Sequence, residues 1–193
     1  LNTLIKKVDF AYNNLEPTKA GRLISDFVSD NLSNWYVGLN RKRFWGGEFT
    51  EDKLSAYQTL YTCLETVAKL MAPIAPFYSD MLYSDLTAVS GHDGKHLSVH
   101  LADFPIADEQ CINSDLEARQ QIAQDITSMV LALRRKVSIK VRQPLQCIMI
   151  PVVDDEQRQH IEAVKELIKG EVNVKEVKYI DDTAGVLVKK IKL

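Results

Sequence analysis

Three histidines, His92, His96 and His100, fall four residues apart. On one helix that spacing would turn three imidazoles to the same face and offer a metal three nitrogen ligands. Gly91 and Gly94 argue against a helix there, and no Asp or Cys completes the set at a familiar spacing; a solvated loop without zinc is expected. The pairs Asp154-Asp155 and Asp181-Asp182 stand where helix caps and turns favour acids, which accounts for them without acid–base chemistry. No Gly-rich segment leads into a Lys-Ser or Lys-Thr pair, so no phosphate-cradling loop is expected. Ser, His and Asp are all present, but no signature assembles them into a nucleophilic triad. The expectation is a chain with no catalytic residue and no metal site of its own.

The basic residues are distributed less evenly than the small net charge of −2 suggests. Arg41, Lys42 and Arg43 form one knot, and Arg134, Arg135, Lys136, Lys140 and Arg142 form a second with no acid among them. Lys189, Lys190 and Lys192 form a third. Clustered Lys and Arg neutralise phosphates, although the same runs at helix ends are often only solvated charge that favours the helix dipole. Trp45 follows the first knot and falls off the apolar stripe of its helix, so it is the candidate stacking platform. Trp35 lies on that stripe and reads as core. The three cysteines, Cys63, Cys111 and Cys147, are odd in number and far apart, which fits reduced thiols in a cytoplasmic protein rather than a disulfide framework. The sequon Asn31-Leu32-Ser33 falls in a predicted helix and reads as a chance match.

The elements that must position these residues are mostly helices. At 193 residues the chain can bury a real core, and no stretch approaches the roughly 20 apolar residues of a membrane span. Leu1, Leu4, Ile5, Val8 and Ala11 give a first helix over 1–14. Pro17 suits the first position of a second, which runs to about Phe44 with Val28, Leu32, Trp35 and Leu39 as its buried stripe. Gly46-Gly47 ends it, and Thr50 caps a third helix carrying Leu54, Tyr57, Tyr61, Leu64, Ala68 and Met71. Pro73 breaks the chain and Pro76 opens a short helix through Leu82. Residues 87–113 read as an irregular link, and Ser114 caps a long helix with Ile122, Ile126, Met129 and Leu133 as its stripe.

After Pro144 the period changes. An apolar run over 145–152 is followed by a helix capped at Asp154 or Asp155 and closed by Gly170. Alternating segments follow over 174–180 and 185–191. The fold class expected is mainly α, an antiparallel helical bundle over 1–143 followed by a small strand–helix–strand–strand α/β unit over 144–193. Leu1 stands in place of Met and already lies within the helical pattern, as expected of a piece of a longer chain.

Four segments carry a family resemblance. Leu32-Ser33-Asn34-Trp35-Tyr36-Val37, continued by Asn40-Arg41-Lys42-Arg43-Phe44-Trp45, resembles the signature helix of the anticodon-binding domain of isoleucyl-tRNA synthetases. Leu70-Met71-Ala72-Pro73-Ile74-Ala75-Pro76-Phe77 resembles a helix break shared more widely among class I synthetases. Ser98-Val99-His100-Leu101-Ala102-Asp103-Phe104-Pro105 resembles the family's connecting segment, which usually has Trp where Phe104 stands. Val141-Arg142-Gln143-Pro144-Leu145 and Asn173-Val174-Lys175-Glu176-Val177 resemble its C-terminal junction. The family commonly has Arg at the position of Gly38.

The resemblance implies an anticodon-stem-loop recognition domain of an isoleucine–tRNA ligase. Its partners would be tRNA(Ile) and the catalytic domain of the same parent chain, with no membrane contact, and a monomer is expected. Arg41, Lys42, Arg43, Arg134, Arg135, Lys136, Lys140 and Arg142 would meet phosphates, and Trp45 an unpaired base. ATP and Mg would serve the parent enzyme, and no cofactor this stretch. The nucleotide-binding motifs of class I synthetases are absent. Lys136-Val137-Ser138-Ile139-Lys140 mimics one of them, but it follows the bundle, whereas the family's loop precedes it. The stretch alone is therefore expected to be inactive. The bundle is also shared by valyl-, leucyl- and methionyl-tRNA synthetases, and a helical interaction module without any RNA role is a further reading.

Overall fold

In a computed structural model of the chain, residues 1–89 and 96–181 are described. Contacts divide the chain into two compact units, one spanning Leu1–Ile112 and one beginning at Asn113.

The first unit is helical. Helix α1 (Asn2–Asn13) buries Leu4, Ile5, Val8 and Ala11, the face its spacing marks out. Helix α2 (Pro17–Asp26) opens on Pro17, where a missing N–H costs nothing, and adds Ala20 and Ile24. Helix α4 (Glu51–Met71) completes this core with Val67 and Leu70. Between α2 and α4 lie a π-helical segment (Phe27–Val37) and the short helix α3 (Arg41–Trp45).

The N-terminus of α4 is capped as the sequence suggests, by the Thr50 hydroxyl accepting from the Lys53 N–H at 3.2 Å. Its C-terminus ends at the proline break. The Ile74 N–H turns to the Met71 carbonyl, which leaves the Leu70 carbonyl free to accept from the Tyr12 hydroxyl at 2.9 Å. Helix α5 (Pro76–Val89) follows and buries Tyr83 against Ala68 and Val99. Asp80 on α5 accepts from the Ser98 hydroxyl at 2.6 Å and the Val99 N–H at 3.0 Å, which pins the link where it re-enters.

The second unit contains α6 (Ser114–Lys136), β1 (Leu145–Val152), α7 (Asp155–Val172) and β2 (Val174–Asp181). The two strands pair in parallel, with Leu145 opposite Val174 and Ile150 opposite Tyr179, so the crossover that parallel pairing demands is α7. Asp154 caps α7 by accepting from the Gln157 N–H at 2.7 Å.

Several expectations are corrected. The second helix does not run unbroken to Phe44, because i→i+5 bonding widens its turn over 27–37. That change of period breaks the 28–32–35–39 stripe: Leu32 is buried, Trp35 only half-buried, and Leu39 is 38% exposed. Tyr36 is the inward aromatic instead, its hydroxyl bonded to the Ala56 carbonyl at 3.0 Å. Helix α5 runs on to Val89 rather than stopping at Leu82, and Asn113, not Ser114, caps α6. Gly170 lies inside α7, and Asn173 in the left-handed region (φ 50°) ends that helix. Separately, the compact units divide in sequence at Ile112/Asn113, and the change of period at 143/144 lies within the second unit. Helix α6 groups with the α/β elements because it packs along α7. The expected third strand at 185–191, the third basic knot and His92 lie outside the described residues. His96 and His100 are both exposed.

Candidate nucleic-acid interface

The first basic knot sits on α3, a helix of five residues that could not persist alone. Aromatic packing holds it. Phe44 is buried, with Tyr57 edge-on at 5.2 Å, Tyr36 at 6.1 Å and Trp45 at 6.2 Å between ring centroids. The Tyr57 hydroxyl also donates to the Phe44 carbonyl at 3.1 Å. Beyond α3 the chain turns away at Gly46, where an added Cβ would lie 2.6 Å from the Lys42 carbonyl oxygen, so only glycine fits. The Lys53 ammonium closes the loop by donating to the Gly46 carbonyl at 2.7 Å.

The three cations of this knot have different fates. Arg43 forks onto both Asp52 carboxylate oxygens, from Nε at 2.8 Å and Nη2 at 2.6 Å. It also reaches the Asp52 carbonyl at 3.0 Å and the Asn40 side-chain oxygen at 2.8 Å. The Asp52 hydrogen bond holds the guanidinium pKa above its ordinary value. Arg43 is thus a clamp joining α3 to the first turn of α4. Arg41 and Lys42 are exposed and make no ion pair among the described residues. Trp45 is 72% exposed, which leaves a ring face open beside these two charges. Phe49, not anticipated from the sequence, is exposed on the same loop. Gly38, just before the knot, has ordinary helical angles (φ −57°, ψ −52°), and a Cβ there meets nothing closer than 3.8 Å. The backbone does not require glycine at this position.

The second knot divides in the same way. Arg134 is 1% exposed, and its guanidinium donates to four main-chain carbonyls. These are Lys140 at 3.1 Å, Gln143 at 3.0 Å, Val172 at 2.7 Å and Asn173 at 3.0 Å. Burial lowers its pKa below the usual guanidinium value. Arg134 therefore cannot present its charge to a partner, contrary to the sequence expectation. Arg135, Lys136, Lys140 and Arg142 are all exposed and make no ion pair among the described residues.

Helix α6 ends in a double turn: the Ser138 N–H bonds to the Arg135 carbonyl at 3.1 Å and the Ile139 N–H to the Arg134 carbonyl at 2.9 Å. Ser138 sits in the left-handed region at φ 58°. The Lys136-to-Lys140 segment that mimics a nucleotide-binding loop is thus a helix stop. Among the described residues no group of three or more His, Cys, Asp or Glu could hold a metal ion.

Several cations elsewhere on the chain are paired with neighbouring carboxylates. Lys6 pairs with Glu109 at 2.6 Å, Lys19 with Glu16 at 2.9 Å and Lys69 with the buried Glu65 at 2.9 Å. Lys165 pairs with Glu162 at 3.0 Å, and Arg119 with Asp115. Arg41, Lys42, Arg135, Lys136, Lys140 and Arg142 are exposed without an ion pair among the described residues, as are the scattered Lys7, Arg22, Arg158 and Lys175; what sets the six apart is that they fall in two short runs. An exposed aromatic ring adjoins Arg41 and Lys42.

Exposed cations followed by an open indole are features that a nucleic-acid-binding module would present, and the comparisons show the family. A family model described as the anticodon-binding domain of tRNA ligase matches residues 1–149, and the chain belongs to that family. It is 75% identical over 192 residues to the isoleucine–tRNA ligase of Bacteroides thetaiotaomicron, with all of this chain and 16% of the relative covered. It is 63% identical over 192 residues to that of Porphyromonas gingivalis, again covering all of this chain and 16% of the relative. With the isoleucine–tRNA ligase of Dehalococcoides mccartyi it shares 43% identity over 175 residues, 91% of this chain and 17% of the relative. The chain thus spans about a sixth of the length of the relatives it matches.

The residues that support the site were not singled out from the sequence. Asp52 carries no local mark that ties it to Arg43, and an unbroken α-helical period hides the inward position of Tyr36. Asn173 carried a usable signal, an Asn directly after a long helical pattern and before an alternating one.

Proposed function

We propose that this chain recognises the anticodon stem-loop of tRNA(Ile) within an isoleucine–tRNA ligase and orients the tRNA for aminoacylation by a catalytic domain of the same parent chain. The observation that carries this reading is the clustering of six exposed cations without ion pairs in two short runs, one of them followed directly by the exposed Trp45. Arg41 and Lys42 in the first unit, and Arg135, Lys136, Lys140 and Arg142 in the second, meet phosphates and set the register of the RNA. Trp45 stacks on a base splayed from the unpaired loop, the usual route to sequence recognition in RNA. Binding energy gained there places the distant acceptor end. ATP and Mg serve the parent's catalytic domain; the chain works as one copy and in the cytoplasm.

The test is Trp45→Ala, assayed on a hairpin carrying the isoleucine anticodon loop and on the same stem closed without that loop. Loss of a stacked base costs on the order of 1–3 kcal/mol. That loss is expected on the first hairpin and not on the second. Equal affinity for isoleucine and unrelated hairpins, unmoved by the substitution, would leave only a helical interaction module. Isoleucine-dependent pyrophosphate exchange by the isolated chain would overturn the assignment of the chemistry to another domain.

A further inference from the structure

Arg134 belongs to the sequence's basic run but not to its exposed surface. Its guanidinium meets the C-terminal ends of two helices. It lies in the last turn of α6, and the Val172 and Asn173 carbonyls it binds end α7. Both ends carry partial negative charge, so carbonyl dipoles compensate a cation that no carboxylate neutralises among the described residues. Its Nε has no hydrogen-bond partner among them, so four carbonyl bonds are the whole of its anchorage.

Two of those bonds, to the Lys140 and Gln143 carbonyls, fasten the turn that leaves α6. The Gln143 N–H bonds to the same Lys140 carbonyl at 3.0 Å, and the Asn173 side-chain amide donates to the Val141 carbonyl at 2.9 Å. The segment 140–143 is therefore gathered around one guanidinium. It carries Lys140 and Arg142, and the helix end beneath it carries Arg135 and Lys136, all exposed and all of one sign. Like charges crowded at a helix end repel one another, and a free turn would spread them apart.

We propose that Arg134 is the positioning residue of the second basic cluster: its buried fork fixes the turn over 140–143 so that Arg135, Lys136, Lys140 and Arg142 face a phosphate backbone as a preset array. The inference rests on the reading that these four cations meet phosphates. Lysine cannot replace the fork, because its three donors radiate from a single nitrogen whereas guanidinium presents five in a planar array.

The test compares Arg134→Lys with the triple variant Arg135→Ala, Lys140→Ala, Arg142→Ala. The readout is the slope of log K against log salt for the isoleucine anticodon hairpin. Each phosphate contact contributes about 0.7–0.9 to that slope. The triple variant should therefore flatten it by about 2–3. Arg134→Lys, which removes no exposed charge, should flatten it by at least half as much. A triple variant that loses slope beside an Arg134→Lys that keeps it overturns the positioning role and leaves the phosphate reading standing. A triple variant with unchanged binding overturns the phosphate reading itself. Because Arg134→Lys can unfold the second unit, the unsubstituted chain supplies an independent measurement. Hydrogen exchange at the amides of Ile139, Gln143 and Leu145 should be slow before RNA is added and little changed after. Open-chain exchange in the free protein that slows only with RNA would show a turn ordered by its ligand, and would overturn the proposal.

Discussion

The two arginines that flank Lys42 should behave differently, although they lie two residues apart and carry the same charge. Arg41 and Lys42 are exposed without partners among the described residues, whereas Arg43 spends its fork on Asp52 and Asn40. Replacing Arg41 and Lys42 together by Ala should remove two phosphate contacts. At about 0.7–0.9 per contact, the slope of log K against log salt should fall by about 1.6. Between about 50 and 200 mM salt the unsubstituted chain should then lose roughly tenfold more of its affinity than the double variant does.

Arg43→Ala should leave the slope close to its original value, since the charge it removes is already matched by a carboxylate. Its effect should be on stability instead, through loss of the tie to Asp52 in the first turn of α4, while the Phe44–Tyr57 packing and the Tyr57 hydroxyl bond keep α3 in place. Fluorescence anisotropy with a labelled anticodon hairpin across a salt series gives the slopes, and thermal melts give the stabilities. An Arg43→Ala slope as flat as that of the double variant would refute the reasoning. So would a double variant whose slope is unchanged.

Three further outcomes follow from the backbone and from one carboxylate. Ser138→Gly should stabilise the second unit by roughly 0.5–1 kcal/mol, because a left-handed φ of 58° disfavours a Cβ. Calorimetry that shows a lower melting temperature would contradict this. Gly46→Ala should destabilise the first unit and weaken RNA binding together, since the new Cβ would have to push the Lys42 carbonyl from 2.6 Å; melting and binding unchanged would contradict the close approach. The Ser98 hydroxyl, then the Val99 N–H, hold the Asp80 pKa below the ordinary carboxylate value. The stability that Asp80 adds is therefore complete above the ordinary value of about 3.9 and lost as pH falls through the lower folded pKa. Melting temperature against pH should show that acid loss in the unsubstituted chain and a smaller one in Asp80→Asn, which keeps an acceptor but cannot titrate.

The sequence made the helical frame legible wherever one rule acted alone. Pro17 at the start of α2, Thr50 and Asp154 as caps, and the proline break after Met71 are local decisions, each fixed by backbone chemistry within one turn. The π-helical segment was not legible, since its widened turn has no compositional mark and an α-helical period fits Val28, Leu32, Trp35 and Leu39 equally well on paper. The left-handed residues divide by type. Asn173 is among the few side chains that tolerate that conformation, whereas Leu15 at φ 57° and Ser138 announce nothing.

The candidate site follows the same logic at longer range. A run of basic residues shows where charge is concentrated, but which of those charges reaches solvent depends on partners far along the chain. Arg43 is claimed by Asp52, nine residues on, and Arg134 by carbonyls 38 and 39 residues away at the end of α7. No local pattern encodes those distances. Each of the two described basic runs thus holds two kinds of cation: one arginine spends its planar fork on local structure, and its neighbours keep charges that no carboxylate among the described residues neutralises. Lysine could supply the second kind as well as arginine, and both occur among the exposed six. Only guanidinium could supply the first, and both buried or clamped positions are arginine. An Arg-to-Lys exchange is therefore expected to be mild at Arg41, Arg135 or Arg142 and damaging at Arg43 or Arg134, a contrast that charge counting alone does not give.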